Sequence, residues 1–139
     1  MNVDSIKNGL VIDHIKSGDG MRIYNILGLD KLDCPIAIIK NAASRRMGKK
    51  DIIKVDSEIS LNLDVLGYIS PEITVNVIKD GKNVNKYHPE LPEKIVDIVK
   101  CRNPRCITTT EQELPHIFKL TDSEARIYRC IYCESKAKD

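Results

Sequence analysis

A chain of 139 residues with a formal net charge of +2, 42% hydrophobic and 30% charged residues has room for one domain or two small ones. Nothing in its bulk electrostatics demands a nucleic acid or a membrane surface, no apolar run approaches the roughly eighteen residues of a membrane span, and MNVDSIKNG at the start lacks the apolar stretch of a secretory signal. With no Trp, one Phe and twenty Ile, the core must be built from β-branched aliphatics, which favours strands, and the setting expected is cytoplasmic, where thiols stay reduced.

In chain order, GLVIDHI is apolar and β-branched and predicts a buried strand over Leu10–Ile15. Asp13 and His14 interrupt it. Burying a charge there is costly unless it is paired, so either the strand ends at that point or the two residues face a ligand. SGDGMRIYNILGL predicts a helix capped by Asp19, with Met21, Ile23, Ile26 and Leu27 on its apolar face and Gly28 at its end. PIAIIK, Pro35–Lys40, is a second strand, NAASRRMGKK a basic loop, and KDIIKVD, Lys50–Asp56, a third strand. Side chains alternate along a strand, so Lys50, Ile52 and Lys54 share a face; two ammonium groups about 7 Å apart suit a phosphate between them, or a solvated surface. SLNLDVLGYIS predicts a second helix starting near Ser60 and stopped by Pro71. ITVNVIK, Ile73–Lys79, alternates as a fourth strand, Asp80–Gly81 is a strong hairpin signal, and NVNKYH returns as an edge strand on which Lys86 is an ordinary residue.

The order β-α-β-β-α-β-β, with right-handed crossovers, predicts an α+β fold: a ferredoxin-like sandwich of one mostly antiparallel sheet with two helices on one face and an added strand. Pro89 and Pro92 in HPELPEKI mark the domain boundary, giving an N-terminal domain over 1–92 and a C-terminal one over 93–139.

Four of the five cysteines read C-x4-C-x23-C-x2-C, at Cys101, Cys106, Cys130 and Cys133. Two short-spaced thiolate pairs can supply the tetrahedron that zinc prefers, and in a reducing compartment this reading outweighs disulfides or idle thiols. Four thiolates leave no position for water or substrate, so one structural Zn2+ is expected, closing a small all-β domain too poor in apolar residues to fold readily alone. Cys34, beside Pro35, has no such partner and is expected to be a small buried residue and not a nucleophile.

Taken together, VDSIKNGLVIDHI, MGKKDIIKV, TVNVI, LPEKI and the four-cysteine pattern resemble the regulatory chain of aspartate carbamoyltransferase over essentially the whole length. The resemblance implies a non-catalytic subunit that controls pyrimidine biosynthesis by binding nucleotide effectors, inhibitory CTP with UTP and activating ATP. It implies a zinc domain that grips a separate catalytic chain, and regulatory homodimers that bridge catalytic trimers. By position in the family, Asp13 and Lys54 hold ribose hydroxyls and His14 and Lys86 the phosphates. Lys50 and Asn76 add phosphate contacts, and Val3, Ile6 and Ile78 line the base. Asn103 and Glu134, beside the zinc ligands, match contacts to the catalytic chain. Gly81 stands where some members carry Tyr, Asn83 where an apolar residue is usual, and Arg105 where a second Asn is found; NAASRR lacks a proline seen in some members. A nucleic-acid-binding zinc ribbon, suggested by Arg102, Arg105, Arg126 and Arg129, is the competing reading, but stacking aromatics are few. An enzyme built on Asp13 and His14 would lack a nucleophile or an open metal position. Neither nucleic acid nor membrane is expected as a partner.

Overall fold

The computed structural model describes residues 6–58, 61 and 63–138, and the chain divides into two compact units, Met1–Glu90 and Leu91–Asp139. In the first, β1 (Gly9–Lys16), β2 (Ile36–Ser44), β3 (Gly48–Val55), β4 (Thr74–Lys79) and β5 (Lys82–Tyr87) form one sheet in the order β2-β3-β1-β4-β5. Every neighbouring pair is antiparallel. Helix α1 (Gly20–Ile26) joins β1 to β2 and α2 (Val65–Ile69) joins β3 to β4, each passing over one intervening strand. This is the expected ferredoxin-like sandwich with β5 added at the edge.

The β-branched composition shows directly in the core. Ile12, Ile53 and Val75 lie side by side across three strands, and Ile23 of α1 and Leu66 of α2 join the same buried cluster. Burial of each such side chain contributes about 1.5–3 kcal/mol. Both helices pack against this one face, and among the described residues of this unit no helix lies on the other face of the sheet.

Two irregularities shape the far end of the sheet. The first strand does not end at Asp13: Ile12 pairs with Ile53 and Ile15 with Asp51, so one extra residue is accommodated at Asp13–His14 as a β-bulge. β2 bulges opposite the same stretch of β3, between Ile39 and Ala42. His14 and Asn41 take the left-handed backbone there, at φ 57° and 59°. The fully buried Asp51 carboxylate ties both irregularities down, accepting the N–H of Gly18 (3.1 Å), Gly20 (3.0 Å) and Asn41 (3.0 Å).

Asp19 stands at the N-cap of α1, but its side chain makes no capping bond; the Asp51 carboxylate takes that role from the neighbouring strand. Met21 is 43% exposed, not on the buried face. NAASRRMGKK is not a loop: Ala42, Ala43 and Ser44 pair with Lys50, Lys49 and Gly48, because nothing in that run prevents the strands from continuing to a short tip at residues 45–47. The second helix is only five residues long, and its expected start at Ser60 lies outside the described residues. Asp80 and Gly81 both take positive φ, 51° and 76°, as a two-residue hairpin turn requires.

The second unit holds β6 (Lys94–Val96), β7 (Ile117–Asp122) and β8 (Ile127–Cys130) as an antiparallel sheet in that order, with one short helix, α3 (Ile107–Thr110), after Cys106. Ile95, Val99, Phe118 and Tyr128 are its buried apolar side chains beside three of the cysteines, with Thr108 the buried polar one among the described residues. Among the described residues no helix is long and apolar enough to cross a membrane.

Candidate effector site and metal centre

The register of the first sheet brings distant polar residues into one line. Lys54 of β3 lies opposite Val11 of β1, Val11 opposite Asn76 of β4, and Asn76 opposite Lys86 of β5. Directly paired residues project to the same side of a sheet. This row alternates with the buried Ile53–Ile12–Val75 row, so it occupies the face away from the helices. Two residues along β1 in one direction lies Gly9, paired with Ile78. Two residues in the other lies Asp13, paired with Thr74.

At the Asp13 end the charges are dense. Lys50 Nζ lies 3.0 Å and 3.2 Å from the two carboxylate oxygens of Asp13, so part of the charge expected to await an anion is already met. The His14 N–H donates to Asp13 Oδ1 at 2.6 Å, and His14 Nδ1 lies 2.7 Å from Thr74 Oγ1. Burial lowers the His14 pKa from 6.5; Asp13 opposes this, and Lys50, Arg46 and Lys86 push it further down. A neutral imidazole among three cations is poised to gain a proton when an anion arrives. Among the described residues neither Lys54 nor Lys86 makes an ion pair.

At the opposite end apolar and uncharged polar groups mix. Ile6 is buried, and the next residues run beside the β4–β5 turn: the Gly81 N–H donates to the Lys7 carbonyl at 2.8 Å and the Asp80 N–H to Asn8 Oδ1 at 3.1 Å. Asn83 Nδ2 donates to Asn76 Oδ1 at 2.9 Å, and Asn76 Nδ2 to the Val11 carbonyl at 3.4 Å. Ile6, Asp13, His14, Lys50, Lys54, Asn76, Ile78 and Lys86 therefore lie along one stretch of the first unit; Val3 is outside the described residues. Sequence reasoning passed over Thr74, which holds the His14 ring, and Asp51, which pins the bulges. The alternation that put Lys50, Ile52 and Lys54 on one face put Asp51 with Ile53 and Val55 on the buried face, and a carboxylate there was the available signal.

In the second unit the Sγ atoms of Cys101, Cys106, Cys130 and Cys133 all lie within 4.8 Å of one another. Cys101 and Cys133 are 3.6 Å apart, and Cys106 and Cys130 3.7 Å. Four sulfurs at about 2.3 Å from a tetrahedral zinc are separated by about 3.8 Å, whereas a disulfide would bring two of them to about 2.05 Å. The donor set and its spacing fit a metal ion. Each pair sits on a tight turn: the Cys106 N–H donates to the Asn103 carbonyl (3.0 Å), the Cys130 N–H to the Ser135 carbonyl (2.9 Å) and the Glu134 N–H to the Cys130 carbonyl (2.8 Å). The four thiols differ: burial pushes Cys101 up to about 12 and also raises Cys130. At Cys133 burial is outweighed by hydrogen bonding with the Ser135 side chain and backbone, with Asn103 and with Cys101, which brings it down to about 6.

Asn103 and Glu134 flank the ligands. Asn103 Oδ1 accepts the Arg105 N–H at 3.0 Å, and the Glu134 carbonyl accepts from Arg129 at 3.0 Å. Cys34 is only partly buried, packed against the core of the first unit.

Residues 1–90 match the family model described as "Aspartate carbamoyltransferase regulatory chain, allosteric domain", and residues 93–139 match "Aspartate carbamoyltransferase regulatory chain, metal binding domain". Curated relatives named aspartate carbamoyltransferase regulatory chain are similar over nearly the full length. That of Clostridium tetani is 48% identical across 96% of this chain and 94% of its own. That of Clostridium acetobutylicum is 48% identical across 96% and 92%, and that of Bifidobacterium longum 44% identical across 99% and 99%.

Proposed function

The chain belongs to the family of aspartate carbamoyltransferase regulatory chains, and we propose that its first unit binds nucleoside triphosphates across the helix-free face of the sheet and passes the effect to a catalytic chain held by the second. The observation that carries this reading is the sheet register, which lines up Lys54, Asn76 and Lys86 across one surface, with Ile78 toward one end and Asp13 toward the other. Gly9 to Asp13 spans about 13 Å of strand, the scale of a nucleotide from base to phosphates. In this reading the base sits over Ile78 and beside Ile6 and Val3, where the backbone near the β4–β5 turn distinguishes cytosine from adenine by donor and acceptor pattern. Asp13 and Lys54 take the ribose hydroxyls. His14, Lys86 and Lys50, with Asn76, take the phosphates through charge-assisted hydrogen bonds. CTP and UTP are the inhibitory ligands and ATP the activating one, and through them the chain controls pyrimidine biosynthesis.

Cys101, Cys106, Cys130 and Cys133 are the ligands of one Zn2+. Bound zinc supplies folding energy to a unit with few apolar residues and, with four thiolates around it, no open position for chemistry. That gives the chain a structural metal and no catalytic role of its own. Asn103 and Glu134, fixed on the two metal knuckles, reach the catalytic chain, and homodimers of this chain bridge catalytic trimers. The setting is cytoplasmic.

The test is calorimetric titration of CTP into the purified chain and its Lys54→Ala and Lys86→Ala variants. Each variant should keep its circular dichroism spectrum and bind CTP roughly ten- to a hundredfold more weakly, the effect of losing one charge-assisted contact. Unchanged affinity in both variants, or no binding by the parent, would overturn the assignment.

A further inference from the structure

The β2–β3 hairpin tip extends beyond the Ser44–Gly48 pair, at the same end of the sheet as the β1 bulge, since Lys16 pairs with Lys50 there. β4 begins at this end too, with Thr74 opposite Asp13. Two residues before Thr74, Glu72 reaches across to the tip, and its Oε2 lies 3.5 Å from Arg46 Nη2. Both side chains are more than half exposed, 59% for Arg46 and 53% for Glu72. An ion pair that long and that open to water holds its partners only weakly. A guanidinium beside the cationic end of a nucleotide site is also better matched to a phosphate than to a single carboxylate oxygen, because its fork can donate two parallel hydrogen bonds to one phosphate. The charge of Arg46 already acts on His14 in the free chain, together with those of Lys50 and Lys86.

We propose that Arg46 is a further phosphate ligand of the effector site, held aside by Glu72 in the free chain and released to the terminal phosphate when a nucleoside triphosphate binds. The proposal rests on the reading of the helix-free face as the effector site, and it deepens that reading by making phosphate-chain length a determinant of affinity. A monophosphate ends at His14 and leaves the Arg46–Glu72 pair intact; a triphosphate reaches past it. Glu72 then acts as a competitor for Arg46 and as a negative charge facing the incoming anion, and both effects weaken binding.

The experiment is a double-mutant cycle on the full-length, zinc-loaded chain, with CTP and CMP as probes at one salt concentration. Arg46→Ala should weaken CTP about tenfold and leave CMP unchanged, so that the preference for triphosphate falls by the same factor. Glu72→Gln should tighten CTP a few-fold, and most of that gain should vanish in the double variant, where no Arg46 remains to be released. Arg46→Lys, which keeps the charge and loses the fork, should fall between parent and Arg46→Ala, and it carries the test if the alanine variant does not fold. A CTP-to-CMP preference unaltered by either Arg46 variant, or a Glu72→Gln gain undiminished in the double variant, overturns this proposal alone. A parent chain that binds neither nucleotide overturns the effector-site reading and this proposal with it.

Discussion

Asp51→Ala removes one side chain and orphans three backbone donors. The Asp51 carboxylate is fully buried and accepts from Gly18, Gly20 and Asn41. The Gly20 N–H lies in a buried setting and the other two in partly buried ones. The loss at Gly20 is therefore about 1–3 kcal/mol and each of the others nearer 1 kcal/mol, about 3–5 kcal/mol together. For a unit of this size each kcal/mol moves the melting temperature by about 4–8 °C, so the first unit should melt at least about 12 °C lower. The damage should be local to that unit: zinc content should not change, and the unfolding of the four-cysteine unit should stay where it is. Differential scanning calorimetry with zinc quantitation reads both. Asp51→Asn, which keeps one acceptor oxygen, should fall between the two. If Asp51→Ala shifts the melting by less than about 4 °C, the equivalent of 1 kcal/mol, the carboxylate does not organise the bulges and the reasoning fails.

Capture of the thiolates by a mercurial, or Cys130→Ser, should unfold the second unit and release catalytic trimers from the assembly while the freed chain still binds CTP; size-exclusion chromatography with a CTP titration on the released fraction checks it, and an assembly that survives zinc loss would contradict it. Because burial and nearby cations hold the His14 pKa below 6.5, the unfolded chain binds that proton more readily. The stability this group contributes is therefore complete above 6.5 and fades as pH falls through its lowered folded value. A bound phosphate favours the imidazolium, so CTP binding should take up a proton below neutral pH, and the uptake should be absent in His14→Gln; calorimetry in buffers of different ionisation enthalpy measures it. If CTP favours a low-activity assembly, reciprocity requires that a bisubstrate analogue on the catalytic chain weaken CTP binding by the factor by which CTP weakens the analogue, and equal CTP affinity with and without the analogue in an assembly that CTP inhibits would break the scheme.

What could be read from the chain beforehand was whatever local pattern determines. The β-branched runs became strands, Asp80–Gly81 became a two-residue turn, and the spacing of Cys101, Cys106, Cys130 and Cys133 brought four sulfurs together. What could not be read were the properties set by partners far along the chain. Asp19 has the composition of a cap, but the bond that matters comes from Asp51, thirty-two positions on. NAASRR is polar and basic enough to pass for a loop, yet its backbone finds partners in Lys49 and Lys50. Met21 fits a helical apolar stripe but faces water, since the core already receives Ile23 and Leu27 from the same helix. Lys54, Asn76 and Lys86 could be singled out as residues, but their alignment on one face follows from strand register, which no single stretch of sequence states.

Ile12 and Ile15 are three positions apart, and both are fully buried. In an unbroken strand an odd spacing sends two side chains to opposite faces; here the extra residue at the bulge restores them to the same one. Were the bulge ironed out at constant length, one of the two isoleucines would turn away from the core; losing one residue between them would instead leave a regular strand with both still on the buried face. The extra residue therefore adds nothing to the core register. What it adds is the left-handed backbone at His14 and the contacts of that residue with Asp13 and Thr74, so a one-residue deletion there would spare the core and take the polar pair apart.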